Sequence, residues 1–545
     1  MATEKIFIRK ASGLVRSVSG TDAFFFNLFA SGPIGFALAW SVYWAFYGLP
    51  GANLWLAMAY VTIFSIFLTM TYAMLSSVMP RAGGDYVFIS RTLHPAIGFA
   101  ANWNMMLTQF LWGGAITIFF VVMAISPVLG TLGIIFGNAW LLNAAKILST
   151  SAEWIFGIGI LVIIIVGVVA VLGLKRLMWF LRVGYVLGFL SLAIILGTLL
   201  ATNNQTFVEA FNMIAAEYSI SYQGVIDAAK EAGLSIPTTL VFDPKLTIAA
   251  MAVGFAVISW SWWSIYIAGE IVKAEDVKRQ ILIMVGPTVL NGILYIASIF
   301  LMYKVIGYEF LAAAYYLFDK QEWAIPVPPF INFFVAVILL KMNNPILAAL
   351  CVIGFLGWPL GIFALGVPTF SRCMFAWGMD RLLPERFTKI SRRWNTPVNS
   401  IIVTTIVLIL STIFVALLLE TGIFWHIETY VGLAPIVGTI AIVCLTGALL
   451  PYTRRDLYEK AAISKFKIGP IPLITITGII STAFTLFIAS LYFFFPALGL
   501  ADPLTSAIVC GTIFGSGLVY FYAVKYYRKK QGIDLDLLYR EIPPA

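Results

Sequence analysis

Ser31-Gly32-Pro33-Ile34-Gly35 stands inside an apolar run that extends from Asp22 to Tyr47. A proline in a helix interior removes an amide donor and clashes with the carbonyl four residues back, and flanking glycines weaken the helix further. This stretch therefore predicts a helix that breaks at its middle. In hydrocarbon a break leaves backbone groups without partners, so it persists only where protein or a polar cavity satisfies them. Pro33 suits the first position of a new helix capped by Ser31 or Gly32, which aims the amides of Ile34 and Gly35 into the gap. Such an end attracts anions. We expect Ser31, Gly32, Ile34 and Gly35 to contact a solute; the alternative is a Gly-Pro kink that serves packing alone.

The surrounding chain sets the solvent. Of 545 residues 61% are hydrophobic and 11% charged, with a mean hydropathy of +0.96, which excludes an ordinary soluble globular domain. Spans of about 20 mainly apolar residues are expected at 22–47, 53–78, 97–125, 153–174, 180–200, 247–270, 281–303, 346–370, 398–420, 428–450, 472–495 and 503–527. The apolar run from Phe330 to Leu340 is too short to span and reads as an outer-surface or re-entrant helix.

With the N-terminus inside, 28 of the 34 Lys and Arg residues fall on the inner side and 6 on the outer. The positive-inside rule then places both termini in the cytoplasm of a multi-pass cell-membrane protein. The net charge of +9 is accounted for by this topology; no basic stripe suggests a nucleic-acid partner. Up to Asp22 the chain is polar and basic, without a cleavable signal pattern, so the first helix is expected to remain. Cys351, Cys373, Cys444 and Cys510 show neither CxxC nor metal-ligand spacing and read as packing thiols.

The sixth span carries Ser259-Trp260-Ser261-Trp262-Trp263-Ser264 at its centre, where aliphatic residues are expected. Each buried indole needs an acceptor, so several at mid-depth suggest an aromatic-lined cavity; the alternative is a Trp-rich packing face whose serines bond to their own helix. The first and sixth spans each open a set of five helices that begin on opposite sides. Corresponding broken helices in two inverted halves point to a transporter's midplane site. Ser259, Trp260, Ser261 and Trp262 join the candidate binding residues.

Five motifs occur in order: Met79-Pro80-Arg81-Ala82-Gly83-Gly84-Asp85-Tyr86; Glu270; Ser371-Arg372 leading to Asp380-Arg381-Leu382-Leu383-Pro384-Glu385; Asn395-Thr396-Pro397-Val398; and Pro451-Tyr452-Thr453-Arg454-Arg455. In them the chain resembles the amino acid-polyamine-organocation superfamily of secondary transporters. The resemblance implies an all-α membrane protein of twelve transmembrane helices, a five-plus-five inverted repeat with broken first and sixth helices, and loop motifs that shape an inner gate. Read from residues alone, those loops are scaffold. The implied organisation is a cytoplasmic arm 1–21, repeats 22–200 and 247–450 around an extracellular loop 201–246, a cytoplasmic loop 451–471, helices eleven and twelve at 472–527, and a cytoplasmic tail 528–545.

By analogy with spans that line the family's site, Gln109 and Trp358 are further candidates; alternatively Gln109 bonds between helices and Trp358 marks a kink. Two departures stand out. Typical members place a small residue before an aromatic at the sixth break, where this chain has Trp260-Ser261. The lysine of some proton-coupled members is missing from the fifth helix, which has Gly184, Gly188 and Ser191, with Arg182 near its inner end.

The expected function is secondary active transport of a small organic solute, in chemical terms an amino acid, by alternating access. A polyamine or other organic amine is the alternative within the resemblance; a solute channel or a transporter-like sensor is the alternative from another class. No Walker, HExxH, CxxC or GxSxG motif offers reacting groups for an enzyme or an ATP-driven pump. No cofactor is expected. The coupling ion is open between Na+ and H+: spans carry ionisable residues only near their ends, which favours sodium or uncoupled exchange, with Thr369 and Ser371 as a candidate cation site.

Overall fold

The computed structural model describes residues 13–31, 38, 41–42, 45, 48–235, 242–420, 432–498 and 502–542. The first helix, α1 (Gly20–Ala30), starts at Ser19, whose hydroxyl accepts from Asp22 N, and ends at the cap Ser31. Gly32, Pro33, Ile34 and Gly35 lie outside the described residues. There follow α2 (Leu54–Val78), the short α3 (Asp85–Thr92), α4 (Pro95–Phe136), α5 (Ala152–Val171) and α6 (Leu174–Ala201). Two loop helices, α7 (Asn204–Ala215) and α8 (Tyr222–Glu231), precede the second set: α9 (Pro244–Ile258), α10 (Val277–Val305), α11 (Ile331–Lys341), α12 (Pro345–Met379), α13 (Val398–Glu420) and α14 (Gly432–Thr453). The chain closes with α15 (Leu473–Phe494) and α16 (Leu504–Lys530).

Eleven of the described helices are long and apolar enough to cross a membrane, and they coincide with the second to twelfth expected spans. Their packing is reciprocal. α1 lies on α10 as α9 lies on α2; α4 meets α13 as α12 meets α5; α6 meets α12 as α14 meets α4. Exchanging the first five helices for the second five maps each of these contacts onto its counterpart, as a five-plus-five inverted repeat requires.

Three elements differ from the sequence expectation. α4 continues to Phe136 because a wide π turn at Val121–Ile125 relieves the clash that Pro127 would otherwise make with the turn before it. α12 bends at Leu356 and runs on to Met379, past the polar Ser371-Arg372 where the expected span stopped, because Arg372 is neutralised inside the protein. α11 is not a surface element: every residue from Ile331 to Leu339 is buried, against α6, α7 and α12. Apart from the buried Asn332, its sequence is apolar on all sides up to Leu340, so no face strongly prefers water. α7 and α8 both lie within the segment 201–246, expected as a loop.

Candidate functional site

α9 stops at Ile258, and the chain turns through 259–262 before short tight turns at Trp263–Tyr266 and Ala268–Glu270. The unwound backbone finds its partners on α1. Asn27 Oδ1 accepts from Ser264 N at 2.7 Å, while its Nδ2 donates to Ser264 Oγ at 2.9 Å and Ile283 O at 2.6 Å. Ser31 Oγ donates to Ile258 O at 2.9 Å and lies against Ser261 Oγ, and Ser259 Oγ bonds Ser65 Oγ at 2.7 Å. These groups are buried, so the break in the sixth span is held by protein as a membrane interior demands. Asn27 escaped the sequence reading; a lone amide within the Phe24–Phe29 apolar run was the available signal.

Beside this seam is a cavity of about 180 Å³. Phe29 and Ala30 of α1, Phe255, Ala256 and Val257 of α9, and the rings of Trp260 and Trp263 form one side. Gln109, Trp112 and Gly113 of α4, Leu365, Gly366 and Phe370 of α12, and Tyr492 of α15 form much of the rest. Among the described lining residues none is charged. Residues of the last turns of α1 and α9 border the cavity, and the C-terminal end of a helix carries partial negative charge.

The candidates from sequence divide by position. Gln109 and Trp260 line the cavity, with the Trp260 indole bonded to Ala256 O at 2.9 Å. Ser31, Ser259 and Ser261 form the seam behind it. Trp262 turns away: it is fully buried, stacked on Tyr72 at 4.3 Å, and its indole donates to Ser259 O. Trp263, which the sequence reading grouped with its neighbours without choosing it, faces the cavity instead. Trp358 is buried between Phe29 and Phe189 and packs over Gly188, where a Cβ would come within 2.8 Å of its indole. It braces Phe29 and does not itself line the cavity. Thr369 Oγ1 donates to Leu365 O at 2.9 Å, and Ser371 Oγ donates to Pro368 O at 3.1 Å while accepting from Arg372 Nη1. Both hydroxyls thus donate to carbonyls of their own helix, and Ser371 also meets the Arg372 guanidinium.

The end of the bundle rich in Lys and Arg is sealed. Arg372 grips Glu270 through Nε–Oε1 at 2.8 Å and Nη2–Oε2 at 3.1 Å, both side chains buried. Arg91 grips Asp380 with two bonds of 2.7 Å, and Tyr86 and Tyr539 cover the pair. Gly83 and Gly84 join the layers: Gly83 N donates to Tyr266 O, and Ala82 bridges Ile267. Both glycines have positive φ, +97° and +47°, and a Cβ on either would sit 2.5 Å from Ala376 or Ile265. Only glycine lets this loop lie flat on the broken sixth span.

Comparison with known proteins agrees with this architecture. Among curated proteins none matches the chain. The profile of a family described as amino acid permease matches residues 19–516, from the cap of α1 into α16, taking in both broken-span regions and the sealed end. With nearly the whole bundle inside that match, the chain belongs to the amino acid permease family.

Proposed function

We propose that this permease carries a small amino acid with an apolar side chain across the cell membrane, by secondary active transport with alternating access at the cavity beside the sixth break. One observation carries the reading: the cavity is lined by aromatic and aliphatic groups and Gln109, without a charged side chain among the described residues, and the C-terminal ends of two half-helices border it. Those ends suit an ammonium, and the amides expected around Ile34 and Gly35 suit a carboxylate. An apolar side chain would fill the space between Trp260, Trp263 and Phe370. A polyamine at this depth needs fixed negative charge, which the described lining residues do not supply. The positive-inside rule supports placing the sealed, Lys/Arg-rich end in the cytoplasm.

The test is competition in proteoliposomes across labelled amino acids and amines. Branched and aromatic amino acids should compete best, lysine and arginine poorly, and putrescine and spermidine not at all. For whichever amino acid is transported, its decarboxylated amine should bind at least about tenfold more weakly, since the carboxylate's amide donors are left unsatisfied. Equal competition by the amine would overturn carboxylate capture and move the assignment to amine transport.

A further inference from the structure

Among the described residues, Asp85 is a carboxyl of the sealed end with no counter-charge bonded to it. It is fully buried. Oδ1 accepts from Asn102 Nδ2 at 2.7 Å and from Tyr86 N at 2.9 Å, and Oδ2 accepts from the Tyr266 hydroxyl at 3.2 Å. Every donor is neutral. The cations near it are spent elsewhere: Arg91, on its own helix, on Asp380, and Arg372, beside Cys373, on Glu270. From the other elements packed around it come the titratable but uncharged Tyr72 of α2 and Cys373 of α12, with Cys444 of α14 beside Tyr72, while Arg454 is spent on Asp456 and the Arg91 carbonyl.

We propose that Asp85 is the proton-binding site of the transport cycle, loaded while the inner end is sealed and emptied into the cytoplasm when the Gly83-Gly84 seam parts. The proposal rests on the transport reading above. Its position suits the task. Asn102 touches both Asp85 and Cys373 Sγ, and Cys373 lies seven residues, about 10 Å of helix, before Asp380. The Arg91–Asp380 layer and Tyr539 therefore stand between Asp85 and the cytoplasm, whereas the opposite direction leads to the cavity. Tyr266, bonded to Asp85, packs edge-on against Trp263, which lines it.

Burial pushes the Asp85 carboxyl up to about 7, against the pull of the Asn102, Tyr86 and Tyr266 donors. Parting the seam hydrates it and returns it towards the ordinary carboxylate value near 4. The sealed state thus holds a proton that the open state gives up at any pH between those values, so acid favours sealing and alkali favours opening. Asn102 serves both forms: its Oδ1 has no partner among the described residues, so rotation of the amide offers an acceptor to a protonated Asp85.

The experiment uses the full chain in proteoliposomes, with voltage held at zero. Counterflow of labelled amino acid, without a gradient, first establishes transport; if the wild type shows none, the transport reading fails and not the role of Asp85. With counterflow present, a gradient of about two pH units, alkaline in the lumen, should raise accumulation at least roughly tenfold while a lumenal dye reports acidification. In Asp85→Asn the gradient should drive no accumulation, and any remaining counterflow should vary less than about twofold from pH 5.5 to 8. If that variant does not fold, Asn102→Ala removes a donor to the ionised carboxylate and should move the pH midpoint of uptake upwards. Undiminished proton drive in Asp85→Asn, wild-type counterflow indifferent to the gradient, uptake without lumenal acidification, or an unmoved midpoint in Asn102→Ala would each overturn the proposal.

Discussion

At the scale of single residues, neighbouring tryptophans have opposite duties. Trp260 faces the cavity, half-buried, with its indole tied back to α9; Trp262 is wholly enclosed and stacked on Tyr72. Trp260→Ala should therefore alter apparent affinity and preference among amino acids while leaving thermal stability close to wild type. Trp262→Ala should empty a buried site and cost about 3 to 5 kcal/mol of stability, as large-to-small changes of buried aromatic residues do. Trp323→Ala, in the loop after the seventh span, should change substrate preference less than either. Melting temperature in detergent and uptake kinetics, measured on all three variants, separate the two effects. If Trp262→Ala changes preference at unchanged stability, its ring belongs to the binding surface.

At the scale of elements, the sealed end is a loop laid on a broken helix, and it depends on two glycines. Adding one carbon at Gly84 places it 2.5 Å from Ile265 in a backbone conformation that L residues avoid, at a cost of roughly 1 to 3 kcal/mol. Gly84→Ala should bias the protein towards an open inner end. Cys373, fully buried behind the seam, is a built-in reporter. In a variant retaining it as the sole cysteine, Gly84→Ala should raise its rate of reaction with a permeant maleimide by about tenfold, each 1.4 kcal/mol being worth that factor. Unchanged labelling would mean that the seam does not control access. Gly184 and Gly188 of α6 play a related part at the bend of α12: a Cβ on either would meet Gly357 O or the Trp358 ring within 3 Å. These glycines, read in sequence only as the site of a missing lysine, are where two spans approach closely.

At the scale of the whole molecule, the reciprocal packing of the two five-helix sets makes sidedness a property of the entire chain. A single extra span would reverse every later loop, and α11, an apolar helix of 11 residues, is the segment on which that count turns. At 11 residues it is about half the length a span requires, which keeps it out of the count. Cysteines placed at the exposed Gln205 and Lys320 should react with an impermeant thiol reagent on intact cells. Cysteines at Lys389 and Lys465 should react only after permeabilisation. Labelling of Lys389 from outside would overturn the proposed orientation and the cytoplasmic assignment of the sealed end.

The sequence by itself determined what depends on neighbours along the chain. Spans follow from the length of apolar runs, and the break in the sixth span from hydroxyls and indoles where aliphatic residues belong. Even there the boundaries of α4 and α12 were misjudged, because a π turn and a buried ion pair accommodate the proline and the charge that seemed to end them. Tertiary structure decided everything that depends on direction about a helix axis or on partners hundreds of residues away. In an unwound turn no 3.6-residue period applies, so nothing local tells which of Trp260, Trp262 and Trp263 faces the cavity. Nor can a loop motif reveal that Asp85 will be buried among neutral donors from the third and sixth spans, since a carboxylate's behaviour is set by what surrounds it and not by what precedes it.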